Sequence, residues 1–396
     1  SGYASLGPWY WAWREPLFDH YLELAVRVED GNDASASLLA LARARAVDSG
    51  LGGIKPELDR AALRSWLRSL PRDSAVLAYY IGGNVAWAWI GDHEGVRRTG
   101  LPGPAEIRAQ ASEMREAIQA RTWADFEPLA ASLGRLLLDP LGGELPRSIF
   151  LAVHGPLLGL PFAALALDGA PLAARREVIH LDRFPSSNVA RLSVPQPTSV
   201  FLAGDPQDWS GEFATRLEPS EEVRAVSARF VGMGLHAVLG VALLQDEFED
   251  PRYQEAELIH LAVPGVIDLS PMRSSGLMLS EEARGAGRQQ LGEATIRSTP
   301  VDAGLVFLSR TEFRGQGNAM DNRVGLVSAA LEAGAGGVIA SLWETEPEAR
   351  AAFVSAFYAH LADSGEPARA LALTQRSLMT NHAQPQWAAF CLTTGR

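Results

Sequence analysis

The sequence predicts an α/β protein of two units, with mostly parallel sheets flanked by helices, behind a short helical segment. Three observations carry that class. From about residue 196 onward, short apolar strands alternate with helical patterns of about 10–15 residues, the alternation that crossover-connected parallel strands require. Ser148–Val153 is a continuous apolar run, as in a strand covered on both faces. Pro195-Gln-Pro197 interrupts the chain between two β/α alternations. The expected organisation is a helical segment at 1–54, a first unit at 55–195 and a second at 196–396.

Taken in order, Trp9, Trp11 and Trp13 lead into Leu17, Tyr21, Leu24 and Ala25, apolar positions at helical spacing. Asp33-Ala-Ser-Ala-Ser starts a second helix over Leu38–Val47, and the glycines from Gly50 to Gly53 end it. So short a pair suits the last hairpin of a helical repeat array. Two alternating runs, Ala75–Ile81 and Asn84–Ile90, flank Gly82-Gly83 and read as a hairpin. Helices follow at Pro104–Arg121 and Trp123–Leu138, then strands at Ser148–Val153 and Val178–Leu181. In the second unit the strands are expected at Ser199–Ala203, His236–Leu239, Leu258–Ala262, Leu277–Leu279, Leu305–Leu308, Gly337–Leu342 and Ala388–Thr393. Between them lie helices at Glu218–Phe230, Arg323–Ala333, Glu346–Leu361 and Pro367–Met379. Glu221-Glu222 falls in the opening turn of the first, where acidic groups complement the helix dipole.

Composition narrows the function. The 396 residues carry 35 Lys+Arg against 47 Asp+Glu, a net charge of −12, which offers no footprint for nucleic acid or an anionic membrane. No apolar stretch reaches the roughly 20 residues of a membrane span, so a soluble protein of the reducing cytoplasm is expected. A single cysteine, Cys391, forbids an intrachain disulfide and any multi-cysteine zinc site. There is no P-loop, no dinucleotide GxGxxG, no GxSxG elbow and no HExxH, and none of the eight histidines has a ligand partner at metal spacing. No metal or cofactor is expected.

Open α/β sheets place their chemistry outside the carboxyl ends of the strands. Three ends qualify: Leu258-Ile-His-Leu-Ala-Val-Pro-Gly265, Leu305-Val-Phe-Leu-Ser-Arg-Thr-Glu312 and Val338-Ile-Ala-Ser-Leu-Trp-Glu344. In this order they resemble the CHAT domain, a caspase- and separase-like cysteine peptidase family often fused to tetratricopeptide helices. The resemblance extends over residues 55–396. It is carried also by Leu151–Leu165, Phe184-Pro-Ser-Ser187, Leu331–Trp343 and Pro385-Gln-Trp-Ala-Ala-Phe390. It implies a caspase-like fold, with a non-catalytic first unit and a peptidase-like second one.

The same resemblance locates a degenerate dyad. The family's catalytic histidine falls on Pro264, and its nucleophilic cysteine on Thr311, with Arg310 in place of the usual small neighbour. A thiolate dyad needs an acidic sulfur and an imidazole to take its proton, and proline offers no side-chain acceptor. Cys391 follows Trp387-Ala-Ala-Phe390 in the terminal strand and reads as a small buried hydrophobe. His260, four residues before Pro264 on the same strand face, reads as a hydrogen-bonded core histidine or else as a displaced base. Paired with Ser309, or with Thr311, it is the best surviving hydrolase arrangement. Arg310, Glu312, Trp343 and Glu344 are the candidate cleft residues. Arg310 is placed to read a partner's carboxylate, and Trp343 to line a peptide groove or to pack beneath the following helix. The loops Glu281–Gln290 and Phe313–Asn322 read as cleft surrounds or solvated connections.

The favoured expectation is therefore an inactive pseudopeptidase acting as a protein-interaction or regulatory module. Its partner would be a protein or peptide, including an active peptidase of the same family. The alternatives are a hydrolase using Ser309 or Thr311 with His260, and a purely structural terminal domain of a longer repeat protein.

Overall fold

The computed structural model describes residues 20–27, 33–48, 59–153, 155–182, 192–204, 218–232, 234–239, 245–268, 276–280, 290–314, 319–380 and 385–395. Trp9, Trp11, Trp13, the Phe184–Ser187 motif, His154 and residues 281–289 lie outside them, as do the side chains of 312–324. The chain divides into two compact units, Ser1–Arg191 with Arg396, and Leu192–Gly395.

In the first unit the strands run in the order Val96–Gly100, Ala86–Gly91, Ser74–Ile81, Ser148–Ala152, Glu177–Leu181. The first three form an antiparallel meander, and the last three are parallel to one another. Ser74–Ile81 and Ser148–Ala152 are buried along their whole length, as their unbroken apolar character requires. The connection between the first two hairpin strands takes four residues, closed by Gly82 N donating to Val85 O at 2.8 Å. The second strand therefore starts at Ala86 rather than Asn84.

Two elements here escape a pattern reading. Val-Arg-Arg-Thr-Gly, the third meander strand, has no apolar alternation, and the helix Arg60–Ser69 buries only Leu63, Trp66 and Leu67. Asp59 caps that helix by accepting from Ala62 N at 2.8 Å. The helix Ser35–Asp48 packs on the same meander: Trp89 Nε1 donates to Ser37 Oγ at 2.8 Å, and Ala34 N to Val96 O at 3.1 Å. The described part of residues 1–54 thus belongs to the first unit by packing.

The second unit carries six strands in the order Gly234–Leu239, Ser199–Gly204, Leu258–Ala262, Leu305–Leu308, Gly337–Ser341, Phe390–Thr394. All are parallel except the last, which runs antiparallel to Gly337–Ser341. Every residue of Leu258–Ala262, Leu305–Leu308 and Gly337–Ser341 is buried. The helices Glu218–Ser227 and Pro347–Ser364 pack against each other. The second ends where Gly365 takes φ 64°, a left-handed conformation that glycine adopts without strain, and its N–H caps Leu361 O.

Two strand ends expected to open directly onto a rim do otherwise. Beyond Ala262 and Leu308 the chain re-pairs in a small second sheet of the order Gln290–Gly292, Gly276–Met278, Gly265–Asp268, Thr311–Arg314. There Gly265–Asp268 lies parallel to Thr311–Arg314 and antiparallel to Gly276–Met278. Gly276–Met278 falls within one residue of the expected strand Leu277–Leu279, whereas Gly265–Asp268 and Thr311–Arg314 are too short for the apolar pattern to separate from the strands before them. Among the described residues, no helix is long and apolar enough to cross a membrane.

Candidate functional site

The three strand ends meet where the main sheet gives way to the small one. Pro264 is buried, and its carbonyl accepts from Met278 N at 2.8 Å. Gly265 stands in register with Thr311, and its N–H donates to Arg310 O at 2.8 Å. A Cβ at Gly265 would stand 3.2 Å from Thr311 Cγ2, so the two strands approach more closely than a side chain there allows without adjustment.

Thr311 itself is 1% exposed. Its Oγ1 lies 2.8 Å from Ser341 O and 2.8 Å from Ser341 Oγ, while Ser341 Oγ lies 3.2 Å from Thr311 O. With the threonine proton on Ser341 O, the serine proton is left for Thr311 Oγ1 or Thr311 O. The Thr311 hydroxyl is thus hydrogen-bonded to the end of the neighbouring strand.

A second, charged cluster lies deeper in the unit. His260 is fully buried in the strand Leu258–Ala262, beside Leu202 and Phe307 in register. Its Nε2 lies 2.9 Å from Glu222 Oε1, and its Nδ1 2.9 Å from Tyr358 Oη. Arg350 Nε donates to the other Glu222 oxygen at 3.2 Å, and Arg350 Nη1 to Thr345 O at 3.2 Å. Glu222 is 6% exposed, Arg350 4% and Tyr358 2%.

Electrostatics fix the proton positions. Burial would raise the Glu222 carboxyl, but the His260 hydrogen bond, the attraction of His260 and Arg350, and the adjacent Ser309 hydroxyl hold it below its ordinary value. Burial, and then the Glu222 charge, push the Tyr358 phenol well above 10. An ionised Glu222 accepts from His260 Nε2–H, and with the ring neutral the Tyr358 hydroxyl donates to Nδ1. Ser309, 1% exposed, lies beside Glu222, and its Oγ has no well-aligned hydrogen bond.

The structure therefore brings Pro264, Gly265, Thr311 and Ser341 together, but it does not put Ser309 Oγ or Thr311 Oγ1 on either ring nitrogen of His260. Trp343 is 6% exposed, Arg310 is half-buried and Glu344 is exposed; Glu312 lies in Thr311–Arg314, its side chain outside the described residues. Cys391 is buried opposite Ala340, with Sγ 3.7 Å from Ala340 O.

Glu222 corrects one expectation: it is a buried ion-pair partner, not a solvent-facing complement to the helix dipole, because its helix turns it onto His260 and Arg350. The signal was present. Glu222 shares a stripe with Val223, Val226 and Phe230, and Arg350 opens the stripe Phe353, Val354, Phe357, Tyr358, Leu361, so each charge stands at a core position. A charge in a core stripe calls for a buried partner. Among the described residues, no group of three or more His, Cys, Asp or Glu could hold a metal ion.

Comparison with known proteins places this geometry. The fold is similar to separase of Saccharomyces cerevisiae in two complexes with securin. One matches at TM-score 0.60 and 9% identity over 93% of this chain and 34% of that one. The other matches at 0.56 and 8% over 85% and 31%. This chain spans about a third of the separase chains it matches, and at such identity the likeness defines a class by fold alone, the caspase-like α/β fold. No curated protein matches the sequence. The CHAT domain matches residues 127–395, and the chain belongs to the CHAT domain family. The match begins later than residue 55, within the helix Trp123–Leu137 of the first unit.

Proposed function

We propose that this chain is a pseudopeptidase of the CHAT family, which keeps the peptidase fold and serves as a protein-interaction or regulatory module in the cytoplasm. The observation that carries the reading is Thr311 at the nucleophile position, with its hydroxyl bonded to Ser341. A hydroxyl attacks only when a base takes its proton. Here its partners are a carbonyl and another hydroxyl, and the position of the family base is Pro264. Cys391, the one thiol of the chain, is buried in the strand Phe390–Thr394.

A hydrolase using Ser309 or Thr311 with His260 is the competing reading. It requires the imidazole to leave either Tyr358 or the Glu222 carboxylate, and that second departure would leave Glu222 Oε1 buried without its donor, with Arg350 holding only the other oxygen. Incubation with a broad peptide library and with serine- and thiol-reactive probes separates the two. The pseudopeptidase gives neither turnover nor labelling of the native fold. Labelling at Ser309 or Thr311 that vanishes in His260→Ala establishes the hydrolase instead.

For the interaction role, half-buried Arg310 and exposed Glu344 are the cleft groups a partner can reach. The securin-bound state of the separase neighbours supports a protein partner, and an active peptidase of the same family is one candidate. Capture of that peptidase should fall at least tenfold in Arg310→Glu and Glu344→Arg. Equal capture by both variants would support a purely structural terminal domain.

A further inference from the structure

Open sheets expose backbone at their edges, and natural proteins blunt those edges with charge, proline or a cover. In the first unit the edge strand Val96–Gly100 follows the rule, since it carries exposed Arg97 and half-buried Arg98, the latter 5.9 Å above the Trp87 ring. Among the described residues, the edge of the second unit does not. Gly234-Leu-His-Ala-Val-Leu239 contains no Lys, Arg, Asp, Glu or Pro, and among the described residues it pairs only with Ser199–Gly204. Leu235 is 36% exposed, Ala237 is exposed and Leu239 is half-buried. Val231, a few residues earlier, is 79% exposed. Of the four large apolar side chains exposed among the described residues, two therefore stand at this edge; Tyr21 and Leu24 are the others.

The alternation along the strand decides what can cover it. Leu235, Ala237 and Leu239 project to one face, and His236 and Val238 to the other. His236 is tied to its own chain through Glu247 at 3.3 Å and Arg252 at 3.1 Å. In an antiparallel pair, directly opposite residues project to the same face, so a strand pairing with itself must match odd with odd. A register centred on Ala237 meets this condition. It sets Leu235 against Leu239 of the second copy, His236 against Val238, and the smallest of the three outward side chains against itself on the two-fold axis. With no charge within the strand, self-pairing encounters no like-charge opposition from it.

We propose that Gly234–Leu239 is a homodimer interface in which two copies join edge to edge as antiparallel strands about a two-fold axis at Ala237. The contact is isologous, so it closes at two copies and exposes no further edge of its kind.

Equilibrium sedimentation of the wild-type chain over a dilution series tests it. The weight-average mass should climb towards twice the monomer as concentration rises. Ala237→Lys and Ala237→Glu should each hold the mass at the monomer value, because each sets two like charges against one another on the axis. An equimolar mixture of the two variants should recover the dimer. Leu235→Lys, at a side chain already over a third exposed, should give the same loss, and an unchanged thermal midpoint in all three variants at dilutions where the wild type is monomeric keeps folding out of the comparison. A wild-type chain that stays monomeric throughout overturns the proposal. So does a dimer that survives both Ala237 variants, or a mixture that fails to recover association.

Discussion

The Thr311 junction, whose Pro264 lies four residues beyond His260, and the His260 network hold polar groups by opposite means. At Thr311 the partners are hydroxyls and carbonyls at strand ends, and no charge is involved. At His260 an ionised carboxylate, a guanidinium, an imidazole and a phenol are linked wholly inside the unit. Neutral pairs of the first kind add about 0.5–1.5 kcal/mol each and survive editing. A buried ion pair adds little net stability, yet its disruption is costly, because the remaining charge is left without solvent or partner. The position that chemistry would use is thus held by interchangeable bonds, and the one sequence reasoning sets down as core is held by bonds that cannot be removed singly.

Breaking that contrast at its strongest point gives the largest effect. Glu222→Gln leaves the Arg350 guanidinium buried without its counter-charge and should cost about 3–5 kcal/mol in urea unfolding. A loss below about 1 kcal/mol would mean that Arg350 finds another partner, and the two clusters would then be alike in kind.

Acid titration sharpens the same comparison. The folded pKa of Glu222 lies below its ordinary 4.5. Its contribution is therefore present above that value and is lost as pH falls through the folded pKa. The wild-type urea midpoint should drop over this acid window more steeply than that of Glu222→Gln. Parallel curves would assign acid sensitivity to other carboxylates.

Smaller changes probe each cluster singly. Tyr358→Phe removes the donor to His260 Nδ1 and should cost about 1–3 kcal/mol, since a buried acceptor is left unsatisfied. Thr311→Val deletes a hydroxyl whose partner Ser341 Oγ still reaches Thr311 O, so about 1 kcal/mol is expected. Thr311→Cys should change stability least and give no peptide hydrolysis with Pro264 in place. Turnover in that variant would reveal a base within reach of the site and undo the pseudopeptidase reading.

The sequence made legible the elements whose apolar runs are long. The buried strands of the second unit, the closing antiparallel strand and the long helices begin and end within a few residues of their pattern. What escaped was of two sorts. Short strands such as Gly265–Asp268 and Thr311–Arg314 are created by partners distant in sequence, and no local period announces them. The His260 network joins residues up to 128 positions apart, so its members could be suspected singly, as charges in apolar stripes, but not paired.

Cys391 acquires a use from its placement. It is the single thiol of the chain, and it sits in the strand that pairs with Gly337–Ser341 beside the Ser341 end of the junction. An alkylating reagent reaches it only when that strand opens, so the rate of modification in native buffer is a clock for local opening at the closing edge. The wild-type protein thus carries its own reporter, and comparing that rate in Thr311→Val and Glu222→Gln would measure how far each cluster restrains the terminal strand.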